Sequence, residues 1–136
     1  MLDKKKFYIN GKWIAPIEPR NYKVIDPSKE EPCAEISLGG KEDINKAVSA
    51  AKKAFESWAF TSKEERLELL EKLYVIYKKR WAEMAKLISL EMGAPMKFST
   101  EMQAATGASH IKSFKNILKD FKFEKDLGEE KNNQKL

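Results

Sequence analysis

The chain carries one cysteine, Cys33, and one histidine, His110. A single thiol forms no internal disulfide, so no oxidised framework braces the fold, and the composition is compatible with a reducing compartment. His110 has no second histidine, no close cysteine and no carboxylate at ligand spacing, which excludes a sequence-legible metal centre or proton relay there. Long apolar runs are missing too. The N-terminal MLDKKKFYING has lysines but no apolar h-region, and nowhere does the roughly eighteen-residue apolar stretch of a spanning helix occur. The expectation is a soluble cytoplasmic protein with no membrane partner. Arginine is scarce: Arg20, Arg66 and Arg80 are the only ones, no basic run exceeds three residues, and lysines are interleaved with glutamates. Bidentate phosphate and guanine contacts favour arginine, so the formal charge of +5 reads as solvation and not as a nucleic-acid surface. Glycine-rich phosphate loops are absent as well, since Gly39-Gly40 lacks a GxGxxG or GK[ST] continuation.

What is present is a chain of 136 residues, enough for one domain, with 35% charged residues against a usual value of about 25%. Its first forty residues read as a small β-meander. Asn10-Gly11 sits between two β-prone runs in FYINGKW, and that dipeptide accepts the positive φ angles of a tight hairpin turn. Pro16 and Pro19 make Ile14 to Arg20 an irregular connector; Tyr22 to Ile25 is a second extended piece, Asp26-Pro27-Ser28 turns the chain, and Cys33 to Leu38 forms another strand that ends at Gly39-Gly40. A catalytic thiolate needs a neighbouring base or a helix N-terminus, and Pro32 and Ala34 supply neither, so Cys33 reads as a packed strand residue.

From Lys41 the period changes to that of a helix. Ile44, Ala47, Val48, Ala51, Ala54, Phe55 and Trp58 lie at three-four spacing, Glu42 and Asp43 occupy the first turn, and the small alanines imply close approach to a neighbour. Ser62 to Gly93 is the organising stretch. Ser62 and Glu65 form a capping box, Leu67, Leu70, Tyr74, Tyr77, Trp81, Met84 and Ile88 make one apolar stripe, and Gly93 followed by Pro95 closes the helix. The cluster Lys78, Lys79, Arg80 is its least apolar part and allows a break. Aromatics at three successive stripe positions suit docking on a core better than a dimeric coiled-coil seam. Pro95 opens a third helical region with Met102, Ala105, Ser109, Ile111, Phe114, Leu118 and Phe121 on its apolar side, Gly107 as a weak point, and Lys112, Lys115, Lys119 and Lys122 on the opposite side. Residues 126–136, DLGEEKNNQKL, read as a polar linker or frayed end. Residues and spacing alone therefore give an α/β domain without a catalytic constellation.

The order FYINGKW, VIDPS, ISLG, AFESW, TSKEERLELLEKL, ISLEMGAP and DFKFE closely resembles the start of the NAD(P)-dependent aldehyde dehydrogenase superfamily, over nearly the whole chain. The resemblance implies that 1–136 is the N-terminal part of a cofactor-binding domain. Its strands and three or four long helices would pack around a Rossmann-like sheet lying further along, with that sheet core and the catalytic domain missing. Members oxidise an aldehyde to a carboxylic acid with NAD or NADP and are homo-oligomers. The family's oxyanion-hole asparagine, adenosine-contacting lysine, Gly-rich cofactor loop, general-base glutamate and nucleophilic cysteine would all follow Leu136. No catalytic or cofactor-binding residue is thus expected here, and Cys33 does not lie in the nucleophile motif.

By the same resemblance the Ile25 carbonyl and the Glu91 carboxylate match two ligands of a structural monovalent cation, the third lying downstream. Two departures stand out: Asp26 replaces the more usual asparagine before Pro27, and Lys29-Glu30-Glu31 stands where a glycine would supply a left-handed residue. The leading expectation is an N-terminal dehydrogenase fragment, inactive by itself, without tight NAD(P) binding and prone to self-association. The alternative is a free-standing helical adaptor that binds through the stripe from Leu67 to Ile88 or the basic face from Lys112 to Lys122.

Overall fold

The computed structural model describes residues 1–128. Five strands, β1 (Leu2–Lys4), β2 (Phe7–Ile9), β3 (Lys12–Ile14), β4 (Arg20–Asp26) and β5 (Glu31–Leu38), precede the helices α1 (Lys41–Trp58), α2 (Lys63–Lys79) and α3 (Trp81–Met92). A single turn, α4 (Met96–Phe98), then passes through five π-helical residues, Ser99–Gln103, into α5 (Ala104–Asp120). The strands-first α/β order is the expected one, but the strands do not form one meander. β2 and β3 are a separate hairpin, while β5 is the centre of a three-stranded sheet with β4 antiparallel on one side and β1 parallel on the other. β1 escapes a sequence reading because Leu-Asp-Lys has no β pattern of its own. It is held by its pairing to Ala34–Ile36 and by the adjacent Lys5–Glu35 ion pair at 2.7 Å.

The hairpin turns where Asn10-Gly11 requires it, with φ of 51° and 74°, which brings Tyr8 opposite Trp13 with ring centroids 5.3 Å apart. Gly40 has no side chain to cap α1, and the buried Asp43 carboxylate takes its place, accepting the amide protons of Gly40 (2.9 Å) and of Ile17 in the preceding connector (3.0 Å). The alanine face of α1 lies along the hairpin, where Ala47 and Ala50 line a hollow with Tyr8, Ile9 and Gly11. Its larger apolar residues, Ile44, Val48 and Phe55, remain exposed.

The capping box at Ser62 is formed: the Glu65 amide donates to Ser62 Oγ (3.1 Å) and the Ser62 amide to Glu65 Oε2 (2.7 Å). The long helix does break at the cationic cluster, at Arg80 with φ −98° and ψ 12°. Arg66 ties the α1–α2 corner. Its guanidinium donates to the Trp58 and Ala59 carbonyls and to Thr61 Oγ1, and it lies 5.5 Å from the Trp58 ring and 5.1 Å from that of Phe123. α1 has no basic residue in its own last turn, so this cation also answers the helix dipole.

Leu67, Leu70, Tyr74, Tyr77, Trp81 and Ile88 are all half-buried, as the stripe predicts; Met84 points outward and Ala85 is the buried residue at that level. Their partner is inside the chain. α2 packs on α5 and α3 on the π-helical segment, with the Tyr77 hydroxyl donating to the Ala104 carbonyl (2.9 Å) and Trp81 Nε1 to the Thr100 carbonyl (3.1 Å). Within the chain Leu70, Tyr74 and Tyr77 thus face α5 and Trp81 faces the π-helical segment, which leaves all four half-buried. Gly107 is no weak point. A Cβ there would stand 2.5 Å from the Tyr77 hydroxyl, so the two helices approach only because that position is glycine.

On α5 the inward residues are Ala104, Ala108, Ile111, Lys115 and Leu118, and Phe114 and Phe121 are exposed. Lys115 pairs with Glu71 and lies 5.8 Å from the Tyr74 ring, while Lys122 falls beyond the helix end. The expected basic face of Lys112, Lys115, Lys119 and Lys122 is thus broken, because the α2 contact turns Lys115 inward. Residues 126–128 end the described chain with Leu127 exposed; the rest of the expected polar end lies outside the described residues.

A prediction follows from the helix contact. Gly107→Ala, although it raises helix propensity, should destabilise the chain by about 1–3 kcal/mol through overpacking against a hydrogen-bonded tyrosine. Adding Tyr77→Phe should return part of that loss, as read by the urea midpoint at constant slope.

Candidate functional site

The corner where β4 ends and α3 ends holds both residues that resemblance assigns to a cation. β4 carries a bulge between Val24 and Ile25, across which the register partner of Ile25 is Pro32. Pro32 has no N–H, so it cannot occupy the Ile25 carbonyl with a ladder bond. Glu91 sits in the last turn of α3, exposed, two residues before Gly93. Gly93 adopts φ +70° as the left-handed stop, its N–H donating to the Ser89 carbonyl (2.9 Å). A Cβ on it would meet Pro27 Cγ at 2.8 Å, so the helix end lies directly against the turn that follows Ile25. The elements carrying Ile25 and Glu91 are thereby brought to one corner. The donor types, a carbonyl and a carboxylate oxygen, suit a hard cation. Among the described residues no three His, Cys, Asp or Glu side chains gather as a metal cluster.

Asp26 fixes the turn itself. Its buried carboxylate accepts from the Ser28 hydroxyl (2.6 Å) and the Ser28 amide (2.9 Å), and its carbonyl accepts from the Lys29 and Glu30 amides. The Ser28 hydroxyl, then the Ser28 amide, holds the Asp26 carboxyl below its ordinary range despite burial. Asparagine could accept the same bonds; aspartate adds a negative charge at the corner. Glu30 has φ +58°, so the left-handed residue that the sequence expects of a glycine is present and is carried by glutamate.

Cys33 is half-buried in β5 with its Sγ 3.4 Å from the Val24 carbonyl, to which the thiol donates. His110 is exposed on α5. Sequence reasoning missed Asp43 as the residue that joins the connector to α1. It also missed the π-helical turn beside Trp81, where Ser99 Oγ is the one fully buried side-chain polar atom without a partner among the described residues. Only the first had a signal, an aspartate three residues after a capless Gly40.

The aldehyde dehydrogenase family model matches residues 13–135. The chain belongs to the aldehyde dehydrogenase family. It is 42% identical over 129 residues to the 3-succinoylsemialdehyde-pyridine dehydrogenase of a Pseudomonas species, a match that takes in 94% of this chain and 27% of that dehydrogenase. The crystal structure of an aldehyde dehydrogenase from Bartonella henselae superposes with a TM-score of 0.91 at 51% identity, over 98% of this chain and 28% of the other. A variant of aldehyde dehydrogenase C from Pseudomonas syringae, solved with NAD+ and octanal, gives 0.87 at 35% identity over 91% and 26%. The chain thus spans about 27% of the length of the first curated relative it matches. The match is to the N-terminal part of the aldehyde dehydrogenase fold.

Two measurements test the turn at the corner and the two buried aspartates. Replacing Glu30 by glycine should stabilise the chain by about 1 kcal/mol, since a left-handed non-glycine residue costs roughly that much, as read by thermal or urea unfolding. The second concerns pH. The Gly40 and then the Ile17 amide hold Asp43 below its ordinary value of 3.8, as the Ser28 groups do Asp26. Lowered folded-state values mean that both contribute stability above the unfolded value and lose it as the pH falls below 3.8 toward the folded one. The unfolding midpoint should therefore drop across that acid window, and Asp43→Asn should flatten the drop while lowering stability at neutral pH.

Proposed function

We propose that this chain acts as the N-terminal part of the cofactor-binding domain of an NAD(P)-dependent aldehyde dehydrogenase, serving a reaction that converts an aldehyde to a carboxylic acid, and that it turns over no aldehyde by itself. The observation carrying this reading is where apolar surface lies. Among the described residues the buried apolar ones are Ala85, Ala104 and Ala108, while Ile44, Phe55, Leu73, Ile76, Phe114 and Phe121 are among many large side chains left exposed. At about 25 cal/mol per Å², a few hundred Å² of uncovered apolar surface per helix amounts to several kcal/mol, comparable to the whole stability of a domain. Such a chain suits a frame that other polypeptide completes.

Covalent aldehyde oxidation needs a thiolate, a base for deacylation and oxyanion donors held together. Cys33, the only thiol of the sequence, donates to a strand carbonyl, and its sequence neighbours Pro32 and Ala34 supply no base. A dinucleotide needs a strand-loop-helix cradle for its pyrophosphate, and no Gly-rich loop of that kind occurs in the sequence. The role left to these residues is positional. α2 and α5 clasp each other, Arg66 and Asp43 fix the two ends of α1, and the Pro27–Gly93 contact sets the corner of β4 on α3. In the complete enzyme the Ile25 carbonyl and Glu91 carboxylate would hold a monovalent cation at that corner, stiffening the β4–α3 junction. A cytoplasmic location and a homo-oligomeric complete enzyme belong to the same reading.

Calorimetric titration with NAD+ and NADP+ should give no tight binding to the isolated chain, and aldehyde should produce no NAD(P)H by absorbance. Sedimentation should show concentration-dependent self-association. Turnover abolished by Cys33→Ala would overturn the reading.

A further inference from the structure

The π-helical residues between α4 and α5 contain one residue more than an α-helix would place there, and the surplus shows in two side chains. The Ala104 amide donates to the Ser99 carbonyl, five residues back. The Thr100 carbonyl, which Ala104 would bond in an α-helix, accepts instead from Trp81 Nε1 at 3.1 Å. An indole from α3 thus fills a place that α winding would fill from within the helix. Ser99 is where the π winding is unfavourable: it is 0% exposed, and its Oγ has no partner among the described residues. A helical serine usually donates back to a carbonyl three or four residues earlier. Here the Pro95 carbonyl already accepts the Ser99 amide (2.9 Å) and the Met96 carbonyl already accepts Thr100 Oγ1 (2.8 Å).

We infer that Ser99–Gln103 is a two-register switch with the Trp81 indole as its latch. With the indole on the Thr100 carbonyl the turn is π and Ser99 is enclosed. With the indole withdrawn, the Ala104 amide takes that carbonyl, the turn winds as α, and α4 with Ser99 rotates by about 100° relative to α5, one residue's share of a helical turn. Ser99 then reaches water, which satisfies its hydroxyl. α4 is the flank free to turn, because Met96 and Phe98 are 46% and 43% exposed, whereas α5 is held by the Tyr77 hydroxyl on the Ala104 carbonyl and by the Lys115–Glu71 pair. Pro95, at φ −55° and ψ 139°, is a non-helical joint, and Ser89 Oγ pins the Ala94 carbonyl before it at 2.7 Å, so the rotation is taken up around Pro95. That joint begins next to Gly93, which packs on Pro27. The switch therefore connects Trp81 to the β4–α3 corner.

The test places a thiol at the enclosed position, using Ser99→Cys in a chain whose one native thiol is removed by Cys33→Ser. With Trp81 in place the new thiol should react slowly with N-ethylmaleimide, followed by intact mass at low protein concentration. Adding Trp81→Phe, which removes the N–H donor, should raise that rate roughly tenfold. Ala108→Cys, buried on α5, should keep its rate in both backgrounds. Deleting the exposed Glu101 separates a change of register from a mere cavity at Trp81. The deletion takes out the surplus residue, so the helix is α with both flanks as they stand, and the thiol replacing Ser99 should stay slow with or without Trp81→Phe. A cavity alone would speed it in both. Equal rates for that thiol with and without the indole overturn the switch, as does fast reaction with Trp81 in place. A rise shared by the Ala108→Cys thiol, which marks general loosening, overturns it too, and so does a rise that deleting Glu101 fails to suppress.

Discussion

The contact on which the helical half depends is the Tyr77 hydroxyl donating to the Ala104 carbonyl above Gly107. It is a polar bond made at the closest approach of two helices, and it needs three residues at once: a phenol long enough to reach the backbone, a glycine to let it pass, and an alanine on the buried side of α5. For a part-buried hydroxyl, losing the acceptor costs desolvation on top of the bond itself. The π-helical turn just before Ala104 belongs to the same arrangement, because Trp81 donates to a carbonyl inside it. With both rings anchored, Tyr77 and Trp81 meet edge to face at 6.2 Å, and the orientation of α2 and α3 relative to α5 is set.

Local chemistry made much of this legible in the sequence. Asn10-Gly11, the Ser62–Glu65 box, Gly93 before Pro95 and the cationic break at Arg80 each act within a few residues, and each stands where its residues imply. The stripe through Tyr74, Tyr77 and Trp81 was equally legible as a buried face. Its partner was not, because a 3.6-residue period says that a face is covered and is silent on what covers it. The parallel β1–β5 pairing joins residues more than thirty apart and leaves no trace in a three-residue strand. At the candidate corner, Glu30 as a left-handed residue was foreshadowed by the absence of glycine, and the nearness of Pro27 to Gly93 was not, being a long-range contact.

Family membership and chemistry part company in this chain. The family model spans residues 13–135, and the ionisable groups whose pKa values move are structural: Asp26 is held by the Ser28 hydroxyl and then its amide, Asp43 by the Gly40 and Ile17 amides, Glu65 closes a cap, Glu83 pairs with Arg80 and Lys5 with Glu35. The high content of charge is mostly solvation of helix surfaces, and ion pairs as exposed as Arg80–Glu83 contribute little to stability.

The parallel strand β1 has a meaning apart from its small size. β5 lies in the middle of its sheet only because Leu2–Lys4 occupies one side of it. Without those three residues, Ala34 to Ile36 would present unpaired amides and carbonyls along an open edge, the template on which one chain adds to another strand by strand. Lys4 at the end of β1 and Lys6 just after it put cations near that edge, which disfavour an incoming strand, while Lys5 is taken up by Glu35. Leu2–Lys4 thus closes one side of β5, and an N-terminal truncation that leaves the helices intact would open that edge to strand addition.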